Sequence, residues 1–294
     1  MKRASFKLII FILAAAIAAG AQNTSYSADE YHAFVKKMSA GADNEARVNF
    51  VRDELKKLNL RVSTEGFSQK GRGDAMINGT NVLTEIPNKD AKKTILIGAH
   101  LDKVNVGIGA LDNASGTAAV FALLKAFKVS PLKNYRLQAA FWDAEERGLV
   151  GSRVYVNDRK DKEGRLPDIY INFDIFGKGD SLWLWAENEE SDFVKGLKAS
   201  AEKSNFAYLI SPEYPGSDHR SFAGSVETYS FSLLPNGEPA NIVRLLKGDK
   251  LDEKDFPNVM RTIHTPNDSM EAIDAASVAK SLPVVEAAIR SLDK

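Results

Sequence analysis

The chain of 294 residues carries 39 basic and 39 acidic residues, four histidines and no cysteine. Such a balance argues against nucleic acid or an anionic membrane surface as a partner, and without cysteine any metal site must draw on His, Asp and Glu. Its 44% apolar content is enough for one large domain with a real core.

The first 21 residues, "MKRASFKLIIFILAAAIAAGA", have a basic start (Lys2, Arg3, Lys7), an apolar run from Leu8 and small residues at Ala19 and Ala21. This pattern predicts a signal peptide over 1–21, since the apolar part is short of the ~20 residues that a spanning helix needs. No membrane anchor is expected after cleavage, and the mature protein is expected to be periplasmic or secreted. Losing the three leader bases leaves 36 basic against 39 acidic residues, a net charge of −3.

Residues 22–60 are expected to form an N-terminal helical layer in two pieces, broken near "AGAD", with the charges of "EARVNFVRDELKKLNL" on its outer face. Two β-like runs, "LRVSTEGF" and "TNVLTEI", come after it. Next are "KTILIGA" as a buried strand, "GTAAVFALLKAFKV" as a helix, "YRLQAAFW" as a strand, "GLVGSRVYVND" as a short helix and "DIYINF" as a strand. Further on, "ESDFVKGLKASAEKS" reads as a helix, "VETYSFSLL" as a strand and 268–292 as a closing helix with an irregularity at Pro283. Strands alternating with helices imply a three-layer α/β/α domain on a mostly parallel mixed sheet. Residues 234–262 form a long connection of mixed apolar and charged character and are expected to act as a lid or pocket wall.

The residues just beyond each buried strand carry the chemistry. "ILIGA" runs into His100 and Asp102, "LQAAFW" into Asp143, Glu145 and Glu146, and "IYINF" into Asp174. Asp112 lies on the same edge, in the loop before the next helix. Ligands of open α/β sheets bind beyond the carboxyl ends of the strands, so these groups should converge on one crevice. Carboxylates so close disfavour one another's ionisation, which calls for a cation or for retained protons. Oxygen and imidazole ligands suit Zn2+, with Mn2+ or Co2+ open, and the number of donors suits two ions bridged by one carboxylate better than one ion. His264 in "RTIHTPNDSMEAID" would complete a second site, with Asn267 or Asp268 capping the last helix; alone it reads as a surface histidine. Asp218 and His219 in "GSDHRSFAG" could line a substrate pocket or support their loop, and His32 is expected to have no catalytic role.

The ordered set "HLD", "GALDNASG", "WDAEERGLVGS", "NFDIFG", "SDH" and "IHTPND" resembles the di-zinc aminopeptidases, whose relatives include glutaminyl cyclases and the transferrin receptor ectodomain. The resemblance implies a zinc-exopeptidase-like fold, a single zinc peptidase domain over 22–294 and peptide or protein N-termini as substrates. It also implies that His100 and Asp174 bind one zinc and Glu146 and His264 the other, with Asp112 bridging both. Glu145 would be the general base, and Asp102 would orient His100. Ile175 stands where the family often has methionine, a change expected to alter packing more than chemistry. A glutaminyl cyclase and a noncatalytic binding module on the same fold remain as alternatives.

Overall fold

The computed structural model describes residues 26–71, 75–161 and 164–294, so the signal-peptide expectation lies outside the described residues. In chain order the elements are α1 (Ala28–Ser39), α2 (Asn44–Lys57), β1 (Val62–Lys70), β2 (Met76–Ile86), β3 (Lys93–His100), α3 (Ser115–Val129) and β4 (Tyr135–Trp142). They continue with α4 (Val150–Asp161), β5 (Ile169–Phe173), β6 (Ser181–Ala186), α5 (Asp192–Lys203), β7 (Ala207–Ser211), α6 (His219–Phe222) and β8 (Glu227–Leu234). The chain closes with α7 (Glu238–Leu246), α8 (Val259–Thr262) and α9 (Ala275–Ser291).

One eight-stranded sheet runs in the order β1-β2-β4-β3-β5-β8-β6-β7. Strands β4, β3, β5 and β8 pair in parallel at its centre, and β6 pairs in parallel with β7. Strands β1 and β2, and the β6–β8 junction, are antiparallel, so the sheet is mixed. Alternate strand residues point to opposite faces. Ile95, Ile97, Leu137, Ala139, Ile171 and Phe173 join the larger core with α1, α2, α3, α5 and α9. Leu96, Ala140, Trp142 and Tyr170 pack on the other face against Tyr155, Val156 and Phe222 of α4 and α6. Helices therefore cover both faces, as the alternation of strands and helices implies.

The sequence reading passes over β6, β7 and α7. "SLWLWA" is a fully buried apolar run whose two tryptophans are its only β-like signal, whereas β7 is short and half-buried. The 234–262 segment is not irregular: it holds α7, with Pro239 in its first turn, a 3-10 turn at Glu253–Asp255 and α8. The carboxylate of Glu238 accepts from the N–H groups of Asn258 and Val259, which ties the segment to itself. A second correction concerns Arg47, expected on the outer face of α2, which is fully buried. It shares a stripe with Val51 and Leu55, at i, i+4 and i+8.

At the start of α3 the Asn113 side-chain oxygen accepts from the Gly116 N–H, at 2.8 Å. The Ser115 hydroxyl donates to the Leu111 carbonyl and accepts from the Phe176 N–H, joining the two loops at the strand ends. Gly116 is needed for the close approach of α3 to β5, because a Cβ there would lie 2.4 Å from the Phe173 carbonyl oxygen. Gly116→Ala is therefore expected to cost about 1–3 kcal/mol of stability, read by chemical denaturation of the metal-free protein.

Candidate metal centre

Strands β4, β3 and β5 lie side by side and run the same way, so the residues after them emerge together. His100 closes β3, Glu145 and Glu146 follow β4 by a short turn, and Asp174 follows β5 directly. Asp112 sits in the turn at Ala110–Ala114, where Asp112 and Asn113 leave helical geometry and the peptide between them is cis. His264 comes from the turn after α8. Ala144, Ile175 and His264, at the margins of the site, all have φ near +60°, a costly conformation for residues other than glycine.

Around Asp112 the distances are short. Its Oδ1 lies 3.2 Å from His100 Nε2, which is itself 3.4 Å from Asp174 Oδ1. Its Oδ2 lies 3.1 Å from His264 Nε2, which is 3.2 Å from Glu146 Oε2. These residues form two groups able to hold a metal ion, His100–Asp112–Asp174 and Asp112–Glu146–His264, and Asp112 belongs to both. All are buried or half-buried except His264, whose side chain is 52% exposed and stands at the mouth.

Carboxylates hold the surrounding backbone. Asp102 lies 3.4 Å from His100 Nδ1 and also accepts from the N–H groups of Glu145 and Glu146, at 3.0 and 3.1 Å. Asp268 does not cap the last helix, a role taken by Asp274. Instead it accepts from the N–H groups of Leu111 and Asp112. The Asn113 side-chain oxygen accepts from the Ile175 N–H as well as from Gly116, and its amide donates to the Phe173 carbonyl, linking the Asp112 turn to the Asp174 turn. These roles of Asp268 and Asn113 escape the sequence reading because Asp and Asn before a helix look like ordinary caps.

Asp218 and His219 lie deeper. Both are fully buried, and the His219 ring packs 4.7 Å from Trp185 and 5.5 Å from Tyr214. Burial and the nearby Arg220 push the His219 imidazole down to about 3, so it is neutral at physiological pH. Asp218 is close enough for its charge to act on Glu145. His32 is exposed on α1, away from the cluster.

The crevice is electrostatically strained without a cation. Burial raises Glu145 to about 10, with Asp218, Asp174 and Asp102 adding to the effect against His100. Burial also raises Glu146 and Asp218, each to about 7. Burial acts upward on Asp112 too, but hydrogen bonds and charges from His100 and His264 outweigh it and hold the carboxyl well below its usual range. The hydrogen bond to Asp112 comes first in lifting His264 to about 9, with Glu146 contributing. Oε1 of Glu146 and Oδ1 of Asp174 are buried acceptors with no hydrogen-bond donor among the described residues. Convergent, unsatisfied oxygen acceptors beside two imidazoles fit a divalent transition ion, which would take the place of the protons the cluster otherwise retains.

The same residues fall within a family-level match. Leupeptin-inactivating enzyme 1 of Streptomyces exfoliatus is 32% identical over 139 residues, which are 46% of this chain and 30% of that protein. Among solved structures, a leucine aminopeptidase precursor from Bacteroides thetaiotaomicron superposes with a TM-score of 0.72 at 18% identity, covering 90% of this chain and 97% of that one. A glutaminyl cyclase of Porphyromonas gingivalis reaches 0.69 at 18% identity, covering 92% and 99%. At such identities the superpositions show the α/β fold alone. The description "Peptidase family M28" matches residues 81–289, a span that contains every residue of both ligand groups, and the chain belongs to that family.

Proposed function

We propose that this chain is an exported di-zinc aminopeptidase that hydrolyses the first peptide bond of substrates with a free N-terminus. The observation that carries this reading is the division of Asp112, one oxygen toward His100 and the other toward His264. A single carboxylate shared by two ligand groups is what a two-metal clamp would require, with His100, Asp112 and Asp174 holding one ion and Asp112, Glu146 and His264 the other. Zinc bound there supplies positive charge that polarises a peptide carbonyl and acidifies water at neutral pH.

The protein's own groups do the rest. Glu145 makes no hydrogen bond through its side chain among the described residues, while its backbone is held by Asp102. It takes the proton of the attacking water and passes it to the leaving amine. Its raised pKa matches that second role, and two bound cations would lower it toward the range a base needs. Asp102 acts as a positioning residue, holding the Glu145–Glu146 turn and His100 at once.

Apolar residues adjoin the ligands: Leu111 precedes Asp112, Ile175 follows Asp174 and Ile263 precedes His264. They pack with Trp183, Leu234 and Val259. A cavity of 140 Å³ beside Leu111 is lined in part by Leu234, Pro235, Glu238 and Val259, which supports the 234–262 segment as a pocket wall. Export rests on the 1–21 leader read from the sequence alone.

Glu145→Gln is expected to retain zinc and lose about 10²–10⁴-fold in kcat on aminoacyl amides, with metal content measured on the same sample; unchanged turnover refutes the base. Asp112→Ala is expected to lose zinc along with activity, and two equivalents of zinc in that variant would exclude a bridging role. On a panel of free and N-blocked peptides, cyclisation of N-terminal glutamine without release of an amino acid would select a glutaminyl cyclase instead. Zinc affinity has a defined pH dependence. Because His264 is raised to about 9, its bond to Asp112 supports the metal-free fold fully below about 6.5 and is lost as pH climbs through about 9. Zinc must displace that proton, so its affinity is expected to rise about tenfold per pH unit for each proton released in this window, measured by chelator competition.

A further inference from the structure

Arg47 lies outside the family-matched span, on α2 of the N-terminal layer, yet its guanidinium reaches the metal centre from below. It is fully buried and makes no ion pair among the described residues. Its Nη1 donates to the carbonyls of Leu101 and Asp102 at 3.0 and 3.4 Å, and its Nη2 donates to those of Ile108 and Gly109 at 2.6 and 2.9 Å. Those two pairs of carbonyls are the two ends of one loop. The loop leaves β3 just after His100 and re-enters at the turn carrying Asp112.

We propose that Arg47 is a positioning residue of the metal centre: it cinches the 101–109 loop so that His100 and the bridging carboxylate Asp112 hold their spacing before any metal arrives. This inference rests on the two-metal reading above.

Three further observations support it. Gly109 has φ +61°, and a Cβ there would lie 2.7 Å from Nη2, so the loop is wrapped tightly on the guanidinium. Asn44, on the same helix, accepts from the Lys103 N–H and holds the middle of the loop. The charge also has a use: burial lowers the Arg47 pKa to about 10, and the fields of Asp102, Asp268, Asp112 and Glu146 resist that loss. Arg47 therefore stays charged at neutral pH and offsets part of the repulsion among those carboxylates. Only a planar fork of fixed donors can bridge both loop ends at once; a lysine ammonium places its donors at one point.

The test measures Zn2+ affinity by chelator competition in wild type, Arg47→Met and Arg47→Lys, with folding of each metal-free protein checked by circular dichroism and thermal melting. Arg47→Met is expected to bind zinc about 10–100-fold more weakly, as removal of groups that orient metal ligands does, and Arg47→Lys to recover only part of that loss. A residue that merely fills the core would lower the melting point and leave zinc affinity within about twofold of wild type; that result in either folded variant overturns the proposal. Amide exchange in metal-free wild type supplies a test without a variant. Protection across 101–109 before zinc is added supports the proposal, and protection that arises only after zinc addition overturns it. Wild type that binds no zinc at all refutes the metal-centre reading and this inference with it, whereas zinc binding unaffected by either variant refutes this inference alone.

Discussion

Desolvation of several carboxylates in one buried crevice, with like-charge repulsion added to it, is the constraint to which the rest of this structure answers. Glu145, Glu146 and Asp218 are all held above the usual carboxylate range, chiefly by burial, and His264 is lifted by its bond to Asp112. A divalent cation would offset these unfavourable electrostatics, so affinity for it would have the same origin as the raised carboxyl pKa values. Two acids outside the candidate ligand groups bond to backbone instead. Asp102 and Asp268 each take a pair of backbone N–H groups, and in doing so fix the turns that carry the ligands.

The sheet makes this crowding possible. Parallel pairing of β4, β3 and β5 brings three strand ends to one edge, and the cores on both faces leave those ends little freedom. Left-handed backbone at Ala144, Ile175 and His264 turns the chain sharply beside the residues able to hold a metal ion. Close approaches such as that of Gly116 to the Phe173 carbonyl allow α3 to abut β5, and Asn113 stitches the two turns together. Ile175 illustrates the coupling. Its φ is +56° at the residue directly after Asp174, and its side chain packs on the apolar cluster beside the site.

Much of this was legible in the chain. Ionisable residues directly after buried apolar runs mark the carboxyl edge of a parallel sheet, and the ordered motifs from "HLD" to "IHTPND" name the residues that the fold gathers. The strands and helices that frame the site follow from apolar periodicity, because burial on one or both faces dictates it. The elements passed over all lie beyond residue 180: β6 is a short apolar run between charged loops, and α7 is hidden in a segment of mixed character.

The sequence by itself determined the donor chemistry, the strand ends from which the donors project and the absence of any thiol ligand, since residue type and local pattern suffice for these. Only the tertiary structure decided which oxygen of Asp112 faces which histidine, that Asp268 clamps a turn instead of capping a helix, and that Arg47 is buried beneath the site. The physical reason is range. Periodicity reports which face of an element is buried, but the Arg47 guanidinium and the Asp268 carboxylate choose partners that lie 54 to 157 residues away in sequence and become neighbours only when the chain has folded.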